Sequence, residues 1–323
     1  MTGSTRTWAG GRIPVPDLLR GAVLAAARSP RVGQLVRGAP VSAAVVRRFV
    51  AGDDTAAAVG VARRLVADGL AVSLDHLGED TTDRAEAGAV VDAYVGLLAR
   101  LADAGLAAHV EVSVKLTALG LDLDRALALD GAARVVQSAR AADTTVTVDM
   151  EDHTRTEATL TAVEELRRVE PTVGAVVQAY LRRTESDCRA LAGPGSRVRL
   201  CKGAYAEPAA VAFEDRAAVD ASYARCLEVL MRGEGHPMVA THDPALVALA
   251  GRLATETGRG AGGFEFQMLY GVRPAEQLRL SAAGHAVRVY TPYGPDWYGY
   301  LMRRLAERPA NLVFFARALV SRR

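Results

Sequence analysis

Lysine is almost absent from this 323-residue chain. Of its 39 basic residues, 37 are arginine, and the only lysines are Lys115 and Lys202. The chain also has a single asparagine and a single isoleucine. This composition indicates a coding bias against lysine. Because a compact ammonium is not interchangeable with a guanidinium fork, a lysine that survives such a bias marks a position where arginine does not serve. Both lysines are therefore candidate functional residues.

Cysteine, aromatic residues and net charge are scarce as well. The three cysteines, Cys188, Cys201 and Cys226, are odd in number and lack CxxC or zinc spacing, which favours a reducing compartment. Two of them are expected to be small core residues. The formal charge is only +2 and aromatic residues make up 5%. Without a basic block, this composition argues against a nucleic-acid partner.

No apolar run reaches the roughly 20 residues that a membrane span requires. The apolar piece at 22–27 is interrupted by Arg20 and Arg28, so it is too short and too charged for a signal sequence. The sequence therefore predicts a cytoplasmic protein and leaves peripheral contact with the inner face of a membrane open. We expect residues 1–50 to form an N-terminal arm with short helices at 16–29 and 41–50, and residues 51–323 to form the catalytic domain.

From about residue 70 onward, short β-prone runs alternate with helical patterns. The runs lie at 70–76, 108–116, 144–150, 173–180, 196–202, 237–241, 262–267 and 285–290. Helical segments are predicted at 82–104, 122–141, 154–169 and 184–192. A fifth ends near residue 231, and three more begin near residues 243, 273 and 296. Eight strand–helix units over about 250 residues predict an α/β fold of the (β/α)8 barrel type, with the last helix near its C-terminal mouth. The alternative, a doubly wound open sheet, would normally need a glycine-rich phosphate loop, and no GxGxxG follows an early strand.

Polar and ionisable residues gather at the carboxyl ends of the predicted strands, where such barrels carry their active sites. In chain order they are Asp75, His76, Glu79, Lys115, Asp149, Glu151, Asp152, Gln178, Tyr180, Arg199, Lys202, Tyr205, Thr241, His242, Asp243, Glu265, Gln267 and Tyr290. Side chains alternate between the two faces of a strand. We therefore expect the valines at 110, 112 and 114 to pack under the helices, and Glu111 and Ser113 to point into the barrel. The histidines show no metal-ligand spacing, so no metal is predicted.

Both lysines remain open to several interpretations from their surroundings. Lys115 suits a Schiff-base nucleophile, a clamp for a carboxylate, or a buried ion-pair partner of Glu111 or Asp149. In the sequence VRLCKGAY at 198–205, a strand runs into a small-residue turn that lets backbone come close to a ligand. Arg199 and Lys202 there suit an electron-rich ring and a phosphate, or they are solvated charges at a strand end.

A short amphipathic helix is predicted within 290–311, with Asp296 as its N-cap and Pro309 as its stop. At about 100° per residue, one arc of this helix carries Tyr300, Arg303, Arg304 and Glu307. Two adjacent guanidinium groups beside aromatic surface suit a small ligand with a carboxylate and an apolar body. The alternative is an exposed helix with arginine–glutamate pairs.

Eight short motifs in chain order carry a family resemblance. They are LGE (77–79), SVKLT (113–117), VDMED (148–152), VVQAYLRRT (176–184), VRLCKGAY (198–205), ATHD (240–243), FEFQMLYG (264–271) and the 290–311 stretch. The chain resembles the proline dehydrogenase family over about 70–311, and in particular its compact bacterial monofunctional members. The resemblance implies FAD-dependent oxidation of L-proline to Δ1-pyrroline-5-carboxylate, with hydride transfer to flavin N5 and a quinone as electron acceptor. It also implies that a separate aldehyde dehydrogenase takes the product, since no such domain follows.

The same resemblance implies a role for each site residue. The substrate carboxylate falls to Lys115, Arg303 and Arg304, and the pyrrolidine ring to Tyr205, Leu269, Tyr290 and Tyr300. Asp149 matches an active-site aspartate, and Arg199 matches the arginine near flavin N5. Flavin-binding positions, besides Arg199, are Met150, Gln178, Lys202, Gly203, Ala204, Thr241 and His242. Glu79, able to pair with Arg303, and Glu307 are assigned to the gate of the pocket.

Two positions bear on how closely the chain follows this family. Asp243 stands where many relatives carry asparagine, and Tyr290 favours proline because hydroxyproline-preferring relatives tend to have a smaller residue there. Two other functions remain as alternatives. One is a class I aldolase-like barrel that uses Lys115 as a Schiff-base lysine, and the other is a degenerate barrel that only binds a small amino acid as a sensor.

Overall fold

The computed structural model describes residues 46–78 and 81–307. Contacts divide the chain into two units, and residues Arg47–Trp297 form the unit that carries the barrel. The described residues from Tyr298 onward belong to the other unit. The predicted helix at 16–29 lies outside the described residues, and that at 41–50 is described only from residue 46, with 46–49 helical. The domain boundary near residue 50 stays a prediction.

Strands and helices alternate through the barrel unit, after a first helix α1 (Thr55–Ala67). The strands are β1 (Ala71–His76), β2 (Val110–Val114), β3 (Val146–Val148), β4 (Gly174–Gln178), β5 (Arg197–Cys201), β6 (His236–Ala240), β7 (Glu265–Leu269) and β8 (Val287–Tyr293). The helices that follow them are α2 (Arg84–Asp103), α3 (Arg125–Ala141), α4 (Thr156–Arg167), α5 (Thr184–Leu191), α6 (Arg216–Arg232), α7 (Pro244–Glu256), α8 (Pro274–Ala282) and α9 (Trp297–Glu307). None of the helices within the described ranges is long and apolar enough to cross a membrane.

All eight strands are parallel and close into a barrel in chain order, with β8 pairing with β1. This confirms the predicted (β/α)8 fold. Strands β7 and β8 run beyond the predicted ends at 267 and 290. They do so because pairing with neighbouring strands continues there, through Leu269 with Tyr290 and through His76 with Tyr293.

The alternation of side chains explains why the sequence forms this barrel. In β2, Val110, Val112 and Val114 are buried in the apolar cluster shared with the surrounding helices. Glu111 and Ser113 lie between them and contact other interior side chains, as predicted. The outer layer is therefore apolar, and the polar groups are concentrated inside the barrel.

Aspartate caps fix the start of several helices that follow strands. At α2, α3, α6 and α7 the residue before the helix is an aspartate whose carboxylate accepts a backbone N–H from the first turn. Loss of such a cap typically costs about 1 kcal/mol. Because each of these helices begins at the carboxyl end of the barrel, the caps also order the loops that surround the site.

Candidate active site

Eight charged side chains lie inside the barrel. The carboxylates are Asp75, Glu111, Asp149 and Glu265, and the cations are Lys115, Arg197, Arg199 and Arg288. None of these side chains is more than 15% exposed. The two signs are equal in number, so the formal charge of these eight residues is zero. Since an isolated buried charge is very costly, each of these charges is expected to have a partner.

Lys115 is paired with Asp75. Its Nζ donates to both carboxylate oxygens of Asp75 at 2.7 Å and lies 4.0 Å from Oδ2 of Asp149. Of the two predicted ion-pair partners of Lys115, Asp149 is confirmed, whereas Glu111 pairs with Arg197 and Arg199. Residues four apart on one strand are separated by about 13 Å along it, so Glu111 lies deeper in the barrel. Asp75 was predicted to lie at a strand end but was not among the predicted site residues. Its hydrogen bonds with Lys115 make it part of the site.

Asp149 is held between Arg199 and Tyr290. Its Oδ1 forms an ion pair with a terminal nitrogen of Arg199, and its Oδ2 accepts the Tyr290 hydroxyl at 2.7 Å. Burial raises the pKa of Asp149, although Arg199 and Lys115 act against this. Burial and the charge of Asp149 also raise the pKa of Tyr290 well above its usual range. Tyr290 therefore stays a neutral donor at neutral pH.

Arg199 is hydrogen-bonded through all three of its nitrogens. Nε donates to Gln267 Oε1 at 2.5 Å, and one terminal nitrogen pairs with Asp149. The other terminal nitrogen donates to Ser113 Oγ at 3.0 Å and to Glu111 Oε1 at 3.3 Å. Burial alone would lower the pKa of Arg199, but the charges of Asp149 and Glu111 raise it. The result is a permanent and immobilised positive charge inside the barrel.

A lower layer of charges supports Arg199 from the amino-terminal side of the barrel. Glu111 accepts Arg197 at 2.5 Å and lies 3.8 Å from Arg288 Nε, which donates to Glu265 at 2.8 Å. Glu265 in turn accepts the amide of Gln267 at 2.5 Å, which leaves the Gln267 oxygen facing Arg199. Neither Arg197 nor Arg288 was among the predicted site residues. The signal that could have found them is parity, since each lies two residues before an inward-facing site residue.

The turn that follows β5 contains the other lysine. Lys202 forms ion pairs with Asp220 of α6 and, at 3.0 Å, with Asp243 Oδ2. β5 ends at Cys201, so the side chain of Lys202 does not follow the alternation along the strand. Its ammonium therefore reaches α6 and the N-cap of α7. Gly203 has φ +109°, and a Cβ added there would lie 2.3 Å from the Tyr180 ring. Only glycine fits at this close approach of the backbone.

The remaining predicted flavin positions lie at the ends of β3, β4 and β6. Gln178 is buried and donates to the Glu151 carbonyl at 2.7 Å. His242 Nε2 accepts the Leu269 N–H at 2.9 Å, and Thr241 Oγ1 accepts the Asp243 N–H at 3.1 Å. Met150 is also buried.

This group of residues fits a flavin nucleotide in its chemistry. A lysine and a small-residue turn with close backbone approach suit phosphates, and buried amide, hydroxyl and imidazole groups suit the polar edge of a ring system. The two carboxylates on Lys202 act against this fit, because an anionic ligand must share the ammonium with them.

The residues of the last helix can be described only within their own unit. Helix α9 spans Trp297–Glu307, close to the prediction, and the predicted stop at Pro309 lies outside the described residues. The Arg304 guanidinium lies 5.1 Å from the centroid of the Tyr300 ring. Glu79 and the side chains of Arg303 and Glu307 lie outside the described part of the structure. The gate and the arginine pair therefore stay predictions.

The sequence and fold of this chain match those of known proteins. A family model described as proline dehydrogenase matches residues 58–317. The chain belongs to the proline dehydrogenase family. "Proline dehydrogenase 1" of Bacillus subtilis (strain 168) is 40% identical over 276 residues, which cover 85% of this chain and 91% of that protein. "Proline dehydrogenase" of Deinococcus radiodurans is 38% identical over 313 residues, covering 95% and 99%.

Solved structures from this family share the barrel. Proline utilization A (PutA) from Bdellovibrio bacteriovorus aligns with a TM-score of 0.78 at 23% identity over 95% of this chain, which supports the fold alone. PutA of Bradyrhizobium japonicum (mutant D778Y) aligns with a TM-score of 0.67 at 28% identity over 86%. The chain spans only 38% and 32% of these two PutA chains.

Proposed function

We propose that the protein oxidises L-proline to Δ1-pyrroline-5-carboxylate, with FAD as its cofactor and a quinone as the final electron acceptor. Membership in the proline dehydrogenase family supports the substrate and the class of reaction. The observation that carries the proposal is the cluster of Lys115, Asp149, Arg199 and Tyr290 inside the barrel, in which Arg199 pairs with Asp149, Tyr290 donates to Asp149, and Lys115 lies 4.0 Å from it. A family resemblance at the same four residues implies contacts with substrate and flavin.

Cations recognise the substrate carboxylate in this proposal. Lys115 supplies a charge inside the barrel, and its two bonds to Asp75 hold it in one position. On the family resemblance, Arg303 and Arg304 supply planar guanidinium forks, which suit bidentate binding of a carboxylate. Contact with the pyrrolidine ring is assigned to Tyr205, Leu269, Tyr290 and Tyr300. Fixing the ring by its carboxylate limits the orientations from which it can react.

The barrel supplies orientation and electrostatics. FAD, when bound, supplies the acceptor for the hydride that leaves the substrate ring carbon. Lys202, Gly203, Ala204, Met150, Gln178, Thr241 and His242 would hold it. Arg199 keeps its charge and cannot reorient, because its three nitrogens are all bonded. A preorganised charge of this kind stabilises developing negative charge without a reorganisation cost.

The arrangement of Lys115 argues against the aldolase-like alternative. A Schiff-base lysine attacks as a neutral amine, whereas Lys115 is bound by both oxygens of Asp75 and lies 4.0 Å from Asp149. Two carboxylates around this side chain suit a fixed cation and not a nucleophilic amine. A sensor that only binds an amino acid would have no need for the immobilised Arg199.

A visible absorption spectrum of the purified protein, taken before and after L-proline is added without oxygen, tests the proposal. We expect flavin bands that bleach with proline. The variant Arg199→Met, once loaded with FAD, should bleach at least tenfold more slowly, because it removes the fixed charge and keeps an apolar stem.

Two results would contradict the proposal. Flavin bands that stay oxidised in proline would keep the cofactor and exclude the substrate. A colourless protein that cannot be reconstituted with FAD, but that borohydride traps with a carbonyl substrate, would favour the aldolase-like alternative. Dependence on a quinone is tested separately, by reoxidation of the bleached protein with a soluble quinone analogue.

A further inference from the structure

The segment between β5 and α6, residues 202–215, is fastened to the end of β4. The Tyr180 N–H donates to the Lys202 carbonyl at 2.9 Å, and the Phe213 N–H donates to the Tyr180 carbonyl at 2.8 Å. An antiparallel bridge joins Leu181 to Ala212. Both ends of the segment therefore meet at Tyr180, so the segment has a defined shape before any ligand binds.

Glu207, near the middle of this segment, also contacts Tyr180 through its side chain. Its side chain is only 3% exposed, although the neighbouring Pro208 is exposed. Oε1 accepts the His153 N–H at 2.9 Å and the Tyr180 hydroxyl at 3.1 Å, and Oε2 is bonded to His153 Nδ1. A buried carboxylate is costly unless it is hydrogen-bonded. Here three groups from two other loops compensate it.

Tyr180 connects this carboxylate to the turn that carries the predicted cofactor residues. Its ring lies against Gly203 so closely that no Cβ fits between them. Burial and the charge of Glu207 raise the pKa of Tyr180 well above its usual range, so the phenol remains a donor to Glu207. Movement of Glu207 would release the phenol, and with it the surface against which the Gly203 backbone rests.

We propose that Glu207 is a positioning residue that holds the turn 202–205 in its binding conformation by clamping it to Tyr180 and His153. The turn carries Lys202, Gly203 and Ala204, which the proposed function assigns to FAD, and Tyr205, which it assigns to the substrate, so the inference rests on that function. A turn that is already ordered loses less conformational entropy when a ligand binds. The clamp thereby strengthens cofactor binding without touching the cofactor.

FAD titration of the apoprotein, followed by flavin fluorescence, tests the clamp. Glu207→Ala removes all three acceptor contacts and should raise the Kd for FAD at least tenfold, which corresponds to about 1.4 kcal/mol. Glu207→Gln should recover most of this affinity, because an amide oxygen can still accept from Tyr180 and from the His153 backbone. Tyr180→Phe, which keeps the ring against Gly203 but loses the hydroxyl, should give a smaller increase in Kd.

Glu170→Ala is the matched control. Glu170 also accepts from a nearby residue, Thr172, through both N–H and hydroxyl, but it precedes β4 and lies at the opposite end of the barrel. Its removal should leave the Kd for FAD unchanged. Should Glu207→Ala fail to fold, Tyr180→Phe alone carries the test, and a wild-type Kd in that variant would overturn the clamp.

Hydrogen–deuterium exchange of the apoprotein separates this inference from the proposed function. Backbone amides at 202–207 should exchange faster in Glu207→Ala than in wild type, whether or not FAD binds. Faster exchange in Glu207→Ala, combined with a wild-type protein that binds no FAD, would support the clamp and refute the proposed function. Unchanged exchange, or an unchanged Kd in Glu207→Ala, would refute the clamp.

Discussion

Replacing Asp75 by asparagine should destabilise the barrel interior strongly, although asparagine has nearly the same shape. Asp75 is 1% exposed, and both of its oxygens accept Lys115 Nζ at 2.7 Å. The substitution changes the formal charge of the eight-residue interior from zero to +1. It leaves the ammonium of Lys115, whose side chain is 9% exposed, without its nearest carboxylate.

The magnitude follows from the neighbours of the pair. Breaking a buried ion pair by removing one partner typically costs about 3–5 kcal/mol. Asp149, at 4.0 Å from Lys115, compensates part of the charge, so we expect about 3 kcal/mol for Asp75→Asn. Lys115→Met should cost a similar amount because it strands the Asp75 carboxylate. The double variant removes both charges and should cost at most about 3 kcal/mol, well below the sum of about 6 kcal/mol.

Urea unfolding of the apoprotein for the four chains of this cycle gives the measurement. The pair Arg232 and Glu228 on α6 is the control, since its 3.0 Å contact joins side chains that are 54% and 52% exposed. Single substitutions there should change the free energy of unfolding by less than about 0.5 kcal/mol. Additive losses in the Asp75 and Lys115 cycle would refute the reasoning, because they would mean that the two charges do not depend on each other.

Three further predictions concern ligand binding and pH. Arg304→Lys should raise the apparent Kd for proline at least tenfold, because an ammonium loses bidentate geometry; an unchanged Kd in equilibrium titration would remove α9 from the substrate site. Asp243→Asn should lower the Kd for FAD severalfold, because it removes one of the carboxylates on Lys202 yet keeps an N-cap; weaker binding would contradict this. Burial alone would raise the pKa of Glu111, but Arg288, Arg197 and Arg199 lower it. A carboxyl group whose pKa is lower in the folded than in the unfolded state stabilises the folded protein at pH values above the unfolded pKa, which is about 4.3 for glutamate. This stabilisation is lost as the pH falls below that pKa. The free energy of unfolding should therefore drop steeply below about pH 4.3, and less steeply in Glu111→Gln; equal slopes would show that Glu111 does not contribute.

The barrel itself could be predicted because its determinants are local. Eight strand–helix repeats and the alternation of valine with polar residues in β2 are visible within short windows. The predicted ends of β7 and β8 were too early because the last pairs, at Leu269 and Tyr293, depend on neighbouring strands. Such pairing extends a strand that its own residues do not mark.

The expectation that the active site lies at the carboxyl ends of the strands located the site, but it did not predict which residues pair with each other there. Lys115, Asp149 and Arg199 were predicted to lie together, and Arg199 does pair with Asp149. Lys115 forms the predicted ion pair with Asp149 at 4.0 Å, but it lies closer, at 2.7 Å, to Asp75, which was not among the predicted site residues. Which carboxylate meets an ammonium depends on the register between strands, and that register is set by packing of the whole barrel.

Residue order over short distances was enough to predict the alternation of side chains in β2, the (β/α)8 fold and membership in the proline dehydrogenase family. Glu265, predicted at the carboxyl end of a strand, is instead the first residue of β7, because that strand begins later than predicted. Folding of the whole barrel is what brings Arg199 to Gln267, 68 positions away, and Glu207 to His153, 54 positions away. Contacts over such separations exist only once the barrel has closed. Closure and register fix which side chains face each other, and no local pattern encodes that choice.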